Sequence, residues 1–225
     1  AEIQTNLATQ QRKDAKAIEA IFEAHTENED FVSEWRLVEA RAPVASNAMI
    51  ENARSADLVI MAREDKATDR YDQRHAQSAV SKQSGRPVIV APPDYDGPEI
   101  GQKVLLGGSD TREAARAAHD AQTLTDGPSE FVILRVKPET SDEMRDGDLL
   151  EMSAAISRHG HGVTLAHTDC HGAGISEVLM KTAFEEGADL IATGAYGHST
   201  AYDFVVGATT SALLKSADRP VLFSK

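Results

Sequence analysis

Short apolar runs recur through the second half of the chain, at residues 104–107, 131–136, 163–166, 190–193 and 221–223. Between them the apolar positions return at helical spacing. Ala114, Ala117, Ala118 and Ala121 share one face of a first helix, which Asp110 and Glu113 are expected to open as a capping box. Leu149, Met152 and Ile156 mark a second helix closed by Gly160, and Ile175, Val178, Leu179 and Thr182 a third closed by Gly187. Leu213, Leu214 and Ala217 mark the last. Strands that are continuous apolar runs, alternating with helices, predict a parallel sheet covered on both faces.

The first half begins on a helix whose stripe includes Ile18, Ile21, Phe22 and His25, followed by strands expected at 35–38, 58–62 and 88–90. Ser55-Ala-Asp-Leu-Val-Ile resembles Gly187-Ala-Asp-Leu-Ile-Ala, and Gly85-Arg-Pro-Val-Ile-Val resembles Asp218-Arg-Pro-Val-Leu-Phe, at offsets of 132 and 133 residues. Two matches at nearly one offset indicate duplication. The segment 91–102, rich in proline and glycine, reads as a linker, which divides the chain into domains 1–98 and 99–225. By the same offset, the counterpart of the strand at Lys103 falls roughly 30 residues ahead of Ala1. In a doubly wound sheet the missing strands are central ones, so the native chain is expected to carry a further N-terminal segment, or another chain to donate the strands.

Composition narrows the function classes. Hydrophobic residues at 41% and charged residues at 26% describe a chain that folds. A net charge of −13 argues against nonspecific attraction to nucleic acid or to an anionic membrane. No apolar run approaches membrane-spanning length, and the N-terminal pattern is a polar helix and not a signal peptide. The single cysteine, Cys170, has no internal disulfide partner, in keeping with a reducing compartment, and the expected location is cytoplasmic.

The chemistry concentrates in residues 189–214, where a strand, a loop and a helix follow in order. Gly194 and Gly197 stand where the strand gives out and let backbone approach a ligand. Gly207 opens the helix, whose free amides and dipole form an anion site to which Thr209 or Thr210 adds a hydroxyl. The spacing G-x-x-G-x9-G in strand–loop–helix context resembles the universal stress protein family. So do the closing strands Gly85-Arg-Pro-Val-Ile-Val and Asp218-Arg-Pro-Val-Leu-Phe, and the opening segment from Lys103 to Ala117.

The resemblance covers the whole second half and implies a tandem member: two Rossmann-like or flavodoxin-like doubly wound halves of adenine nucleotide alpha hydrolase-like type, packed as a pseudo-dimer. It implies an ATP or AMP site, with or without magnesium, and a stress-response signalling role in which an ordered loop is presented to a protein partner. Thr193, Gly194, Tyr196 and Gly197 match the loop along ribose and phosphates. Gly207, Ala208, Thr209 and Thr210 match the phosphate-binding helix start; Gly107, Gly108 and Ser109 match the end of the first strand beside the nucleoside, and Val136 the end of the second near adenine. The chain departs from the family at Ala208, where serine or threonine is usual, and at Ser109, where aspartate is usual. In the first half the glycine positions hold Ala62, Asp65 and Arg74 or His75, and Glu64 beside them adds charge that repels phosphate, so one site per chain is expected.

Other signals weigh less. Residues 107–111 partly match the GGxD[ST] loop of ATP pyrophosphatases, but the leading serine of that motif is Leu106 here. His159, His161, His167, Cys170 and His171 are zinc-ligand types, yet His159 and His161 precede a predicted strand and His167 follows it, so they fall at opposite ends. No hydrolase triad and no G-x-x-x-x-G-K-[ST] loop is present. The expectation is a binding protein and not an enzyme, slow ATP hydrolysis aside, with no metal site of its own and with a pure interaction module as the alternative. Trp35 is expected in a core.

Overall fold

The computed structural model describes residues 2–40, 42–63, 71–97, 99–137, 147–170, 172–197 and 207–225, without the side chains of 2–8, 42–43 and 71–74. The chain divides into two units, Ala1–Arg41 and Ala42–Lys225.

The first unit is helix α1 (Glu2–Thr26) and an irregular segment after it. Phe22 packs on Trp35 with ring centroids 5.8 Å apart, and Arg12 Nε donates to Glu39 Oε1 at 2.9 Å. The strand expected at 35–38 does not form. A strand needs a neighbour for its N–H and C=O groups, and this unit offers only a helix whose own groups are already paired. Ile18, Ile21, Leu37 and Val38 are exposed.

The second unit runs α2 (Ala42–Ala53), β1 (Val59–Ala62), α3 (Tyr71–Gln83), β2 (Val88–Ala91), β3 (Lys103–Gly107) and α4 (Arg112–Gln122). It continues with β4 (Glu130–Lys137), α5 (Gly147–Arg158), β5 (Gly162–Asp169), α6 (Ile175–Glu186), β6 (Leu190–Gly194), α7 (Ala208–Ser216) and β7 (Val221–Ser224). The strands form one seven-stranded sheet in the order β1-β2-β7-β6-β3-β4-β5. All neighbours are parallel except β2 and β7, which pair antiparallel with Ile89 opposite Leu222. The mostly parallel, doubly wound α/β class read from the sequence is the class observed, and strands from both predicted halves share a single sheet.

Within 103–225 the order is third, second, first, fourth, fifth strand, so the direction in which successive connections step across the sheet reverses between the parallel neighbours β3 and β6. This is the switch point at which open α/β sheets bind ligands. Asp189 fastens the entry to β3: its carboxylate accepts the backbone N–H groups of Gly101 at 2.7 Å, Gln102 at 2.9 Å and Lys103 at 3.0 Å. One face of the sheet buries Leu105, Leu134, Val136, Ile191 and Phe223 with residues of α2, α3, α6 and α7. The other buries Leu106, Phe131, Ile133, Leu190 and Leu222 under Ala117, Ala118 and Ala121 of α4 and Leu149 and Ile156 of α5. Alanine on the helix face allows α4 to lie close against the sheet, as its periodicity predicts. Among the described residues no helix is long and apolar enough to cross a membrane.

Candidate functional site

The site forms where β3 and β6 end side by side. Thr111 caps α4, its hydroxyl accepting the Ala114 N–H at 3.2 Å. The expected Asp110–Glu113 capping box does not form: the cap lies one residue later, and its third helical position is Ala114, which has no side chain to return the bond. Glu113 instead turns its carboxylate back to Arg112 Nε at 2.7 Å, and its side chain is only 6% exposed. Burial pushes the Glu113 carboxyl up, but the hydrogen bond from Arg112, a backbone N–H and the charges of Arg112 and Lys225 outweigh it and hold it below its ordinary value. Ser109 Oγ lies 3.0 Å from Thr111 Oγ1.

Gly194 ends β6 against the first turn of α4: a Cβ there would lie 2.7 Å from the Ala114 nitrogen and the Glu113 carbonyl carbon. A Cβ on Gly197 would lie 2.8 Å from Glu113 Oε2. Helix packing thus requires glycine at 194, whereas at 197 the end of the Glu113 side chain would have to move aside. Between them Tyr196 adopts φ 53°, the one non-glycine residue with positive φ among those described. Its backbone N–H donates to Thr210 Oγ1 at 3.3 Å and its hydroxyl to Ser78 Oγ at 2.8 Å, while Lys82 Nζ sits 4.1 Å from the ring centre. Burial raises the phenol pKa, against the lowering hydrogen bond to Ser78. Gly207 opens α7 at φ 91°, with no side-chain cap on the helix and Tyr196 directly beside it.

The structure therefore brings Gly107, Thr193, Gly194, Tyr196, Gly197, Gly207 and Thr210 together: a Cβ on Gly107 would lie 3.3 Å from Thr193 Oγ1. Ala208 is exposed and Thr209 half-buried at the start of α7. Val136 stands apart, its side chain in the core face beneath α6. A cavity of about 320 Å³ opens on the opposite face of the sheet, floored by Leu106, Ile133, Leu149 and Met152 and bordered by Gly108 and Ser109. Asp148 at its rim accepts from Arg135 Nη2 at 2.6 Å. The residues missed from the sequence are Ser78, Lys82 and Glu113. The first two belong to α3, far away in the chain, and no local motif connects them to the loop.

The remaining candidates take other places. Ala62 ends β1, while Glu64, Asp65 and the Arg74 side chain lie outside the described residues, as does His171. Among the described residues no group of three or more His, Cys, Asp or Glu side chains is arranged to hold a metal ion. His161 packs at a tilt against Phe131 with ring centroids 5.0 Å apart, and its Nδ1 accepts the Ser129 N–H at 3.2 Å.

With this geometry in view, the comparisons are specific. Residues 101–225 match the model of the Universal stress protein family, more than half of the chain, and the chain belongs to that family. A universal stress protein from Archaeoglobus fulgidus DSM 4304 is similar in structure, with a TM-score of 0.72 at 18% identity over 97% of this chain and 78% of that one. A putative universal stress protein from Pseudomonas aeruginosa UCBPP-PA14 gives 0.54 at 14% identity over 94% and 78%. A functionally unknown protein from Pseudomonas aeruginosa PAO1 gives 0.53 at 15% over 94% and 77%. At these identities the likeness is one of fold. No curated protein matches the sequence.

Proposed function

We propose that this chain is a tandem universal stress protein that binds one adenine nucleotide, ATP or AMP, at the ends of β3 and β6 and acts in cytoplasmic stress signalling by presenting the ordered loop to a protein partner. The observation that carries the reading is the start of α7. It opens at the positive-φ residue Gly207 without a side-chain cap, beside the switch point, so its first amides and dipole are directed to an anion. The residues present suit a phosphate held by amides and hydroxyls. Thr209 and the Ala208 amide would hold it, and Ser109 would lie toward the ribose. The order of α2, β1, α3 and β2 repeats that of α6, β6, α7 and β7, which supports the tandem, internally pseudo-dimeric arrangement. Such a site binds and reports without an evident catalytic base.

Isothermal titration of ATP and AMP into the full chain is expected to give micromolar-range binding. Ala208→Glu supplies the control: a carboxylate at a helix N-terminus favours the fold by about 0.3–1 kcal/mol but repels phosphate. Retained folding with lost binding supports the reading. No heat at millimolar nucleotide, for either nucleotide, defeats it. A pure interaction module is the second reading, favoured because Gly194 is already explained by the close approach of the α4 backbone.

A further inference from the structure

β1 and β6 make the same bonds on one side and differ on the other. Val59 and Arg63 donate to Pro87 and Ala91 at 3.0 and 2.6 Å, as Ile191 and Ala195 donate to Pro220 and Ser224 at 3.1 and 2.7 Å. On its other side β6 pairs in parallel with β3, Ile191 beside Leu105, and Asp189 just ahead of it holds three backbone N–H groups at the entry to β3. At the same place ahead of β1 stands Asp57, an exposed carboxylate with no partner among the described residues. No described strand lies on that side of β1. Because Val59 faces β2, alternation turns the N–H and C=O groups of Ile60 to the open side. The side chain of Ile60 is 69% exposed, whereas Ala192, at the same position of β6, is fully buried. At the far end the Ala62 carbonyl is already taken by Gln77 Nε2 at 2.5 Å, so the open stretch begins beside Asp57.

We propose that the open edge of β1 is a docking edge for one extended apolar segment of another polypeptide chain, which joins the sheet in parallel and places its entering amides on Asp57. β3 shows the chemistry such a segment needs: amides free to meet a carboxylate at Gly101 to Lys103, then the apolar run Val104-Leu105-Leu106. Main-chain bonds to Ile60 supply affinity, and an apolar side chain laid over Ile60 removes it from water. The occupant comes from another chain because each of the seven strands already has its place in the sheet. The exposed segment 31–38 does not suit the edge, since Ser33, Glu34 and Arg36 interrupt its apolar positions. The docking edge holds whether or not the glycine loop takes a nucleotide.

The probe is a labelled synthetic peptide with the sequence of residues 100–109, which carries the β3 run, titrated into the full chain while fluorescence anisotropy is read. A scrambled peptide is the control. Asp57→Ala and Ile60→Lys change exposed side chains, and thermal melts establish that both variants fold. The peptide is expected to bind saturably and to slow hydrogen exchange at the Ile60 amide. Asp57→Ala should weaken it at least about tenfold, the loss of hydrogen bonds to a charged group, and Ile60→Lys should abolish it. No binding at millimolar peptide, equal binding of the scrambled peptide, or undiminished binding in both variants overturns the proposal. A chain that self-associates with the Ile60 amide already protected before peptide is added also overturns it, by showing that copies cover the edge themselves.

Discussion

Gly194 and Gly197 hold their places for different reasons that experiment can separate. A methyl on Gly194 meets backbone of α4 at 2.7 Å, atoms that move only if the helix moves. Gly194→Ala is therefore expected to cost about 1–3 kcal/mol, read as a lower urea midpoint. A methyl on Gly197 meets the end of the Glu113 side chain. Gly197→Ala should cost less, and the loss should shrink when combined with Glu113→Ala, a coupling that a double-mutant cycle in urea measures directly. Additive losses would show that Glu113 and Gly197 do not touch. At Ala208 the direction reverses. Ala208→Ser adds a hydroxyl near the proposed phosphate, and a hydrogen bond to a charged group is worth about 1.5–3 kcal/mol, so nucleotide affinity should rise by roughly ten- to a hundredfold. Unchanged affinity would place the phosphate elsewhere.

Among the elements, the entry to β5 shows how a single histidine, His161, ties stability to pH. The Ser129 N–H donates to Nδ1 of His161, which must be neutral to accept it, and burial followed by the charge of His159 holds its pKa below 6.5. The neutral form is thus favoured by folding. Its contribution is complete above about pH 6.5 and is lost as the pH falls from there through the lowered folded value. Urea unfolding at pH 7.5 and 5.5 should show a larger fall for the parent than for His161→Gln; equal falls would remove His161 as the cause. The helices and strands of the second half were legible because the apolar runs and the alanine face of α4 follow strict periods. The strand at 35–38 was misread because an apolar run reports burial potential and not the presence of a neighbouring strand. The Thr111 cap was read one residue early because Asp110 and Thr111 both suit a cap, and only the backbone geometry chooses between them.

At the scale of the whole sheet, order determines where the protein opens first. β3 and β6 lie inside the sheet with buried residues on both faces, whereas β1 is an edge with Ile60 69% exposed. Hydrogen exchange should be slowest at Leu105 and Ile191 and fastest, among the strands, at the unpaired edge of β1. Leu105→Ala should cost about 2–5 kcal/mol and Ile60→Ala well under half of that. A β1 that exchanges as slowly as β3 would mean its edge is covered. The site itself was legible only in part: the glycine spacing pointed to the loop and to the switch point. Tyr196 bonding to Ser78 and Glu113 facing Gly197 depend on contacts between segments far apart in the chain. The central claim is that the glycine loop of this stress protein holds an adenine nucleotide at the junction of β3 and β6. Titration of ATP into the ¹⁵N-labelled full chain tests it most directly. Shifts concentrated at Gly107, Ser109, Gly194 to Gly197 and Gly207 to Thr210 are expected, and an unperturbed spectrum at millimolar nucleotide would contradict it.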